Sequence, residues 1–146
     1  MNLILKLNQF NQDNIFFNIT VKNNIIHNSL FSRIIYSTSL FTINGLNFLI
    51  NLNDISIEYY YNKYKCNFKL SNHNSNIIQS ICNIEQTILT KFKLTKNPIY
   101  TIADQLKTLN FKIFANNEKI STVILKISGI WETENNYGLT YKFIGH

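Results

Sequence analysis

Val123-Ile-Leu-Lys-Ile-Ser-Gly-Ile-Trp-Glu-Thr-Glu-Asn-Asn-Tyr-Gly-Leu-Thr-Tyr-Lys-Phe143 reads as two alternating strands around a polar turn at Glu132–Tyr137. Side chains on a strand point to opposite faces in turn, so the spacing assigns each residue a side. Val123, Leu125 and Ile127 share a face, and Lys126 takes the other. An unbroken alternation puts Trp131 on the apolar face, whereas a bulge at Gly129 reverses that. Tyr141 alternates with Leu139 and Phe143 and reads as core. Lys126 and Lys142 are left for the open face. Strands that mix rings with ammonium groups suit a surface holding unstacked bases and their phosphates.

Working outward, the apolar period changes upstream. Ile77, Ile78, Ile81, Ile84, Ile88, Leu89 and Phe92 recur at helical spacing, with Ser75 as the expected N-cap. Thr95–Pro98 should end that helix. A short second helix is expected over Ile102–Leu109, then a strand at Phe111–Phe114 and a turn at Ala115–Lys119. Before the helix, residues 15–22 alternate as a half-buried strand, and Leu30–Tyr36 follows as another. Asn44-Gly45, set between hydrophobic runs, predicts a hairpin turn. Ile55–Tyr61 and Tyr64–Leu70 read as a strand pair around Asn62-Lys63. The chain is thus expected to be mainly β (α+β), a single domain over residues 1–146. The expected form is an OB-like small barrel of short antiparallel strands with one main helix between strands.

The strand pair is the second place where rings and lysines crowd together. Along Tyr64–Leu70 the apolar set faces one way, leaving Lys65, Asn67 and Lys69 on the other. Tyr60 lies opposite Tyr59 and Tyr61. Only one face can enter a core, so Tyr60 is expected on the open face beside Lys63 and Lys65, with Tyr59 and Tyr61 buried. The candidate nucleic-acid-binding residues are therefore Tyr60, Lys63, Lys65, Lys69, Lys126, Trp131, Tyr137 and Lys142.

Composition sets the limits. Asn, Ile, Lys, Phe and Tyr dominate, while Arg33 and Pro98 are the sole arginine and proline. The abundant residues have AT-rich codons, which points to an extreme-AT replicon. Fourteen basic and eight acidic residues give a net charge of +6, suited to a polyanionic partner. No apolar run reaches ~18 residues, so no membrane span is expected, and the N-terminus lacks a long apolar or Arg-rich leader. Cys66 and Cys82 are too few for a disulfide framework, and Cys66 reads as a buried small hydrophobe.

The four glycines form no phosphate loop, and His27, His73 and His146 have no ligand neighbours at metal-binding spacing. Asp54 with Glu58, and Glu132 with Glu134, read as surface acids rather than a two-metal centre. No catalytic residues, no metal and no cofactor are expected, and the chain is expected not to be an enzyme.

The ending from Lys126 to Phe143 resembles C-terminal regions of virus-like single-stranded DNA-binding proteins. Together with length and AT bias, it is similar to the single-stranded DNA-binding proteins of yeast cytoplasmic linear (killer) plasmids. The matching positions are Gly129, Trp131, Glu132, Tyr137, Gly138, Tyr141 and Lys142. The resemblance implies an OB-like fold and sequence-tolerant coating of displaced single strands during DNA replication of a linear plasmid, in the cytoplasm. Single-stranded DNA is then the expected partner, with replication proteins of the same element beside it; homo-oligomerisation is left open. The acidic tail of bacterial single-stranded DNA-binding proteins has no counterpart in Phe143-Ile-Gly-His146. The rival expectations are an organellar ribosomal or other RNA-binding protein, and a structural or capsid-associated protein.

Overall fold

The computed structural model describes residues 3–61, 63–115 and 119–146. In chain order these residues form β1 (Ile15–Phe17), β2 (Val21–Lys22), β3 (Leu30–Ser37), β4 (Thr42–Asn44), β5 (Leu46–Ile50), β6 (Ser56–Tyr60) and β7 (Lys63–Asn67). Then follow α1 (Asn72–Phe92), β8 (Asn97–Ile99), α2 (Thr101–Leu106), β9 (Asn110–Phe114), β10 (Val123–Glu132) and β11 (Asn136–Gly145). The protein is mainly β, with one main helix.

All the strands belong to one sheet. Its path runs β1-β3-β10-β11-β9-β7-β6, with β2 and β4 on β3, β5 on β10 and β8 on β11. β1 and β6 end the path without pairing to each other, so the sheet is open. It is also mixed: β8 and β9 run parallel to β11, against the expectation of short antiparallel strands throughout. They lie end to end along one flank of β11, with α2 inserted between them, so the chain keeps its direction through both. At the centre, β10 and β11 are ten residues each.

One slipped residue decides the faces of β10. The register with β11 shifts between Ile127 and Gly129, leaving Ser128 as the extra residue of a bulge. Ile130, fully buried at 0% exposure, thereby continues the apolar face after Ile127, and Trp131 turns outward.

The inner face is covered by the helices. Ile81, Ile84, Ile88 and Leu89 of α1 join Ile34, Tyr36, Phe48, Phe111, Leu125, Leu139 and Phe143 in one core. Phe111 of β9 stacks on Phe143 of β11 with centroids 3.9 Å apart, fixing that parallel pair. Cys66 is buried there as expected, and burial pushes its thiol pKa up to about 11.

Buried polar groups act as staples. The Asn74 side chain, 0% exposed, accepts from the Asn53 amide and donates to the carbonyls of Asn53 and Lys69. It ties the β5–β6 loop and the end of β7 to the start of α1. Glu85, also 0% exposed, accepts from the amides of Ile102 and Ala103 at 2.9 Å each. Those are orphan donors of the first turn of α2, which has no side-chain cap of its own. Burial raises the pKa of this carboxyl most; the two amide hydrogen bonds lower it and Asp104 raises it further.

Several local expectations shift. α1 starts earlier, capped by Ser71, whose hydroxyl accepts from the Asn74 amide, rather than by Ser75. It ends at Lys93, which adopts the left-handed conformation at φ 55°. Gly45 does take positive φ, at 78°, but as a kink between β4 and β5 and not as a hairpin turn. The hairpin turn is Thr38–Phe41, closed by Thr38 N–H to the Phe41 carbonyl. Residues 15–22 are not one strand either. Asn18 breaks the run, its side chain accepting from the Ile19 amide while its own amide bonds Arg33. Ile19 and Val21, expected on the buried face of that strand with Ile15 and Phe17, are consequently exposed. Asn62, in the expected β6–β7 turn, and residues 116–118 of the expected β9–β10 turn lie outside the described residues.

Candidate nucleic-acid interface

Register assembles the site, because it sets side chains from distant parts of the chain next to one another on the outer face. Lys126 of β10 pairs with Lys142 of β11. Lys142 sits one position before the Phe143–Ile113 pair, in step with Lys112 of the parallel β9. Lys112 pairs with Lys65 of β7, and Lys65 with Glu58 of β6. Four lysines therefore stand in a row across four adjacent strands, with Asn47 of β5 at one end and Glu58 at the other. At ~4.8 Å per strand the row from Lys126 to Lys65 is about 14 Å long.

A second row runs beside it, two residues further along each strand. Ile124 pairs with Ile144, and Ile144 with Phe114. Lys63, one position before the Tyr64–Ile113 pair, comes next in step, and it pairs with Tyr60. Apart from Lys63 this row is apolar to aromatic, with Phe114 46% and Tyr60 64% exposed. The rows meet at Phe114: the Lys112 ammonium lies 4.5 Å and the Lys142 ammonium 5.7 Å from the ring centroid. A groove of about 580 Å³ lies here, lined by Lys63, Lys112, Phe114 and Lys142 among others. Beside it, one of about 520 Å³ is lined by Glu58, Tyr60, Lys63, Lys65 and Lys112.

The electrostatics of the row are unfavourable to the free protein. Like charges directly opposite each other on neighbouring strands destabilise a sheet, and here Lys126–Lys142 and Lys65–Lys112 are both such pairs. Among the described residues the ion pairs are Lys96–Glu132 and Lys107–Asp104, so no described carboxylate lies within 4.0 Å of the row.

The structure brings together Tyr60, Lys63, Lys65, Lys126 and Lys142 of the sequence-based candidates. Lys69 is exposed but lies past the end of β7, off the strand positions of the row. Tyr137 is a correction. It faces inward at 5% exposure, its hydroxyl donates to the Leu89 carbonyl, and its ring sits 6.2 Å from that of Phe92, so it has no surface for a base. Trp131 lies on the outer face, half-buried, where the bulge puts it. Tyr59 and Tyr61, expected in the core, are 64% and 80% exposed. β6 ends the sheet path, so no further strand covers the inward side of Tyr59, and Tyr61 stands in the turn at φ 46°.

Lys112 and Phe114 were not among the candidates from sequence. Nothing in Phe111-Lys-Ile-Phe114 by itself marks a site; the parallel register that sets it between β7 and β11 does.

Glu132 is buried at 8% and bonded to the Lys96 ammonium at 2.7 Å, on the face opposite the lysine row. Among the described residues no group of three or more His, Cys, Asp or Glu is placed to hold a metal ion, and no helix is long and apolar enough to cross a membrane.

The chain matches no protein-family model, no curated protein and no solved structure.

Proposed function

We propose that the outer face of this sheet binds single-stranded nucleic acid, and that the protein coats displaced single-stranded DNA in the cytoplasm during replication of an AT-rich extrachromosomal element. The observation that carries the reading is the row Lys126–Lys142–Lys112–Lys65, unpaired among the described residues and flanked by Phe114 and Tyr60. Phosphates follow the lysines, and unstacked bases rest on the rings in the neighbouring row. The backbone of the ligand then runs across the strands. A single strand fits this better than a duplex, whose paired bases cannot offer their faces to a ring.

We further propose an OB-like platform as the form of the fold, supported by the main helix lying between β7 and β8, with the sheet left open. In this role the protein acts without a cofactor and without chemistry, beside the replication proteins of the same element.

The test is a titration with labelled oligonucleotides: single-stranded DNA, the same sequence as duplex, and a structured RNA. Single-stranded DNA should bind tightest, with affinity falling steeply with salt. Tighter binding of the structured RNA would favour an RNA-binding role, and the absence of binding to all three would remove the reading.

A further inference from the structure

The lysine row stops at Asn47 on β5, but past the bulge the outer face continues onto β3. There it carries Arg33, the only arginine of the chain, in register with Gly129, and Phe31 in register with Trp131, the only tryptophan. Two glycines make room for the rings. A Cβ on Gly129 would lie 2.5 Å from the Phe31 ring, and one on Gly138 would lie 2.8 Å from the Trp131 ring. The rings thus rest against the backbones of β10 and β11. The core does not use them, because Ser32 and Ile130 point inward in their place at 1% and 0% exposure. Arg33 is exposed, and no described carboxylate lies within 4.0 Å of it. An arginine two positions along β3 from Phe31, on the same face as two half-buried rings and away from the helices, has the composition of the Phe114 region.

We infer that Arg33, Phe31 and Trp131 form a second contact zone on the same path, so that one unpaired strand crosses the sheet diagonally from Tyr60 to Trp131. The inference rests on the proposed role of the lysine row. From β10 to β6 is four strand spacings, about 19 Å, and from Ile144, in step with Tyr60, to Gly138, opposite Trp131, is about 20 Å along β11. The diagonal of about 28 Å corresponds to about eight nucleotides at a stacked spacing of ~3.4 Å. Arg33 takes a phosphate there, and Trp131 takes the face or edge of a base.

Because Trp131 is the only tryptophan, its emission reports on this zone alone. The probes are end-labelled oligothymidylates of about three and about twelve nucleotides, below and within the span of a single-strand binding domain. Anisotropy reads total binding, and tryptophan emission reads the second zone. At saturation the longer probe should change the emission and the shorter one should not. Arg33→Ala should weaken the longer probe about 5-fold and make its log–log salt slope shallower by ~0.7. Equal emission changes with both probes would overturn the two-zone path. So would binding of the longer probe with unchanged emission and full affinity in Arg33→Ala, leaving the lysine-row reading standing. Failure of the longer probe to bind at all would remove both.

Discussion

Lys142→Gln should make the free protein more stable and a poorer binder. The substitution keeps most of the aliphatic stem over the sheet and removes one ammonium. Lys142 stands opposite Lys126 and in step with Lys112, so the change relieves repulsion on two flanks. Cross-strand pairs contribute about 0.2–1 kcal/mol, and for a chain of this size that is a rise in melting temperature of up to about 4 °C at low salt. Binding moves the other way. Phosphate contacts by Lys63, Lys65, Lys112, Lys126 and Lys142 give a log–log salt slope of about −3.5, at ~0.7 per contact for single strands. Raising salt from about 50 to 200 mM then costs roughly 100-fold in affinity, and roughly 50-fold in the variant, which has one contact fewer. Differential scanning calorimetry and fluorescence anisotropy over a salt series measure the two effects. A drop in melting temperature would mean that Lys142 is a structural residue. An unchanged salt slope would mean that it meets no phosphate. Either result breaks the argument from the lysine row.

Three further outcomes follow from the same geometry. Phe114→Ala and Tyr60→Ala should each weaken single-strand binding by about 1–3 kcal/mol while leaving the thermal midpoint nearly in place; Tyr59→Ala and Tyr61→Ala, at exposed positions, should leave the midpoint nearly in place as well. Asn74→Ala removes three side-chain hydrogen bonds and should lower stability by about 2–4 kcal/mol, read by denaturant unfolding, at ~0.5–1.5 kcal/mol per bond. Glu85 sets a pH dependence: its carboxyl is held above the ordinary 4.5, so its favourable contribution is complete below that value and is lost as pH rises through the folded-state pKa. Wild type should therefore lose stability relative to Glu85→Gln between pH 4 and the folded-state value, and a constant difference across that window would refute the assignment.

The mainly β architecture was readable because its strands carry period-two patterns and α1 carries a period near 3.6, both imposed by burial of one face. Tyr60, Lys63 and Lys65 were readable for the same reason, since a tight β6–β7 pair fixes their parity locally. What failed depended on non-local pairing. The position of Trp131 turned on one extra residue, Ser128, which reverses every later side chain and leaves no mark in the composition. Lys112 and Phe114 needed β9 to settle between β7 and β11, pairing parallel with β11, a choice made by the excursion through α2. Tyr137 looked like a surface aromatic in a polar turn, but it is the first inward position of β11, and α1 lies over it. Tyr59 had the parity of a core residue, but its strand ends the sheet path.

The dependence of α2 on Glu85 has a consequence for the order of assembly. A six-residue helix is far too short to persist by itself, and its first amides are held by a carboxylate that reaches them only once α1 has formed. β9 follows directly from α2, so its entry between β7 and β11 belongs to the same late event. Opening of the α2–β9 segment would take Lys112 and Phe114 out of the middle of the face and split the row in two, while the β10–β11 hairpin and α1 stayed folded. Amide hydrogen exchange should accordingly be faster in residues 101–114 than in α1 or the β10–β11 pair, and a bound strand lying across both halves of the row should slow it.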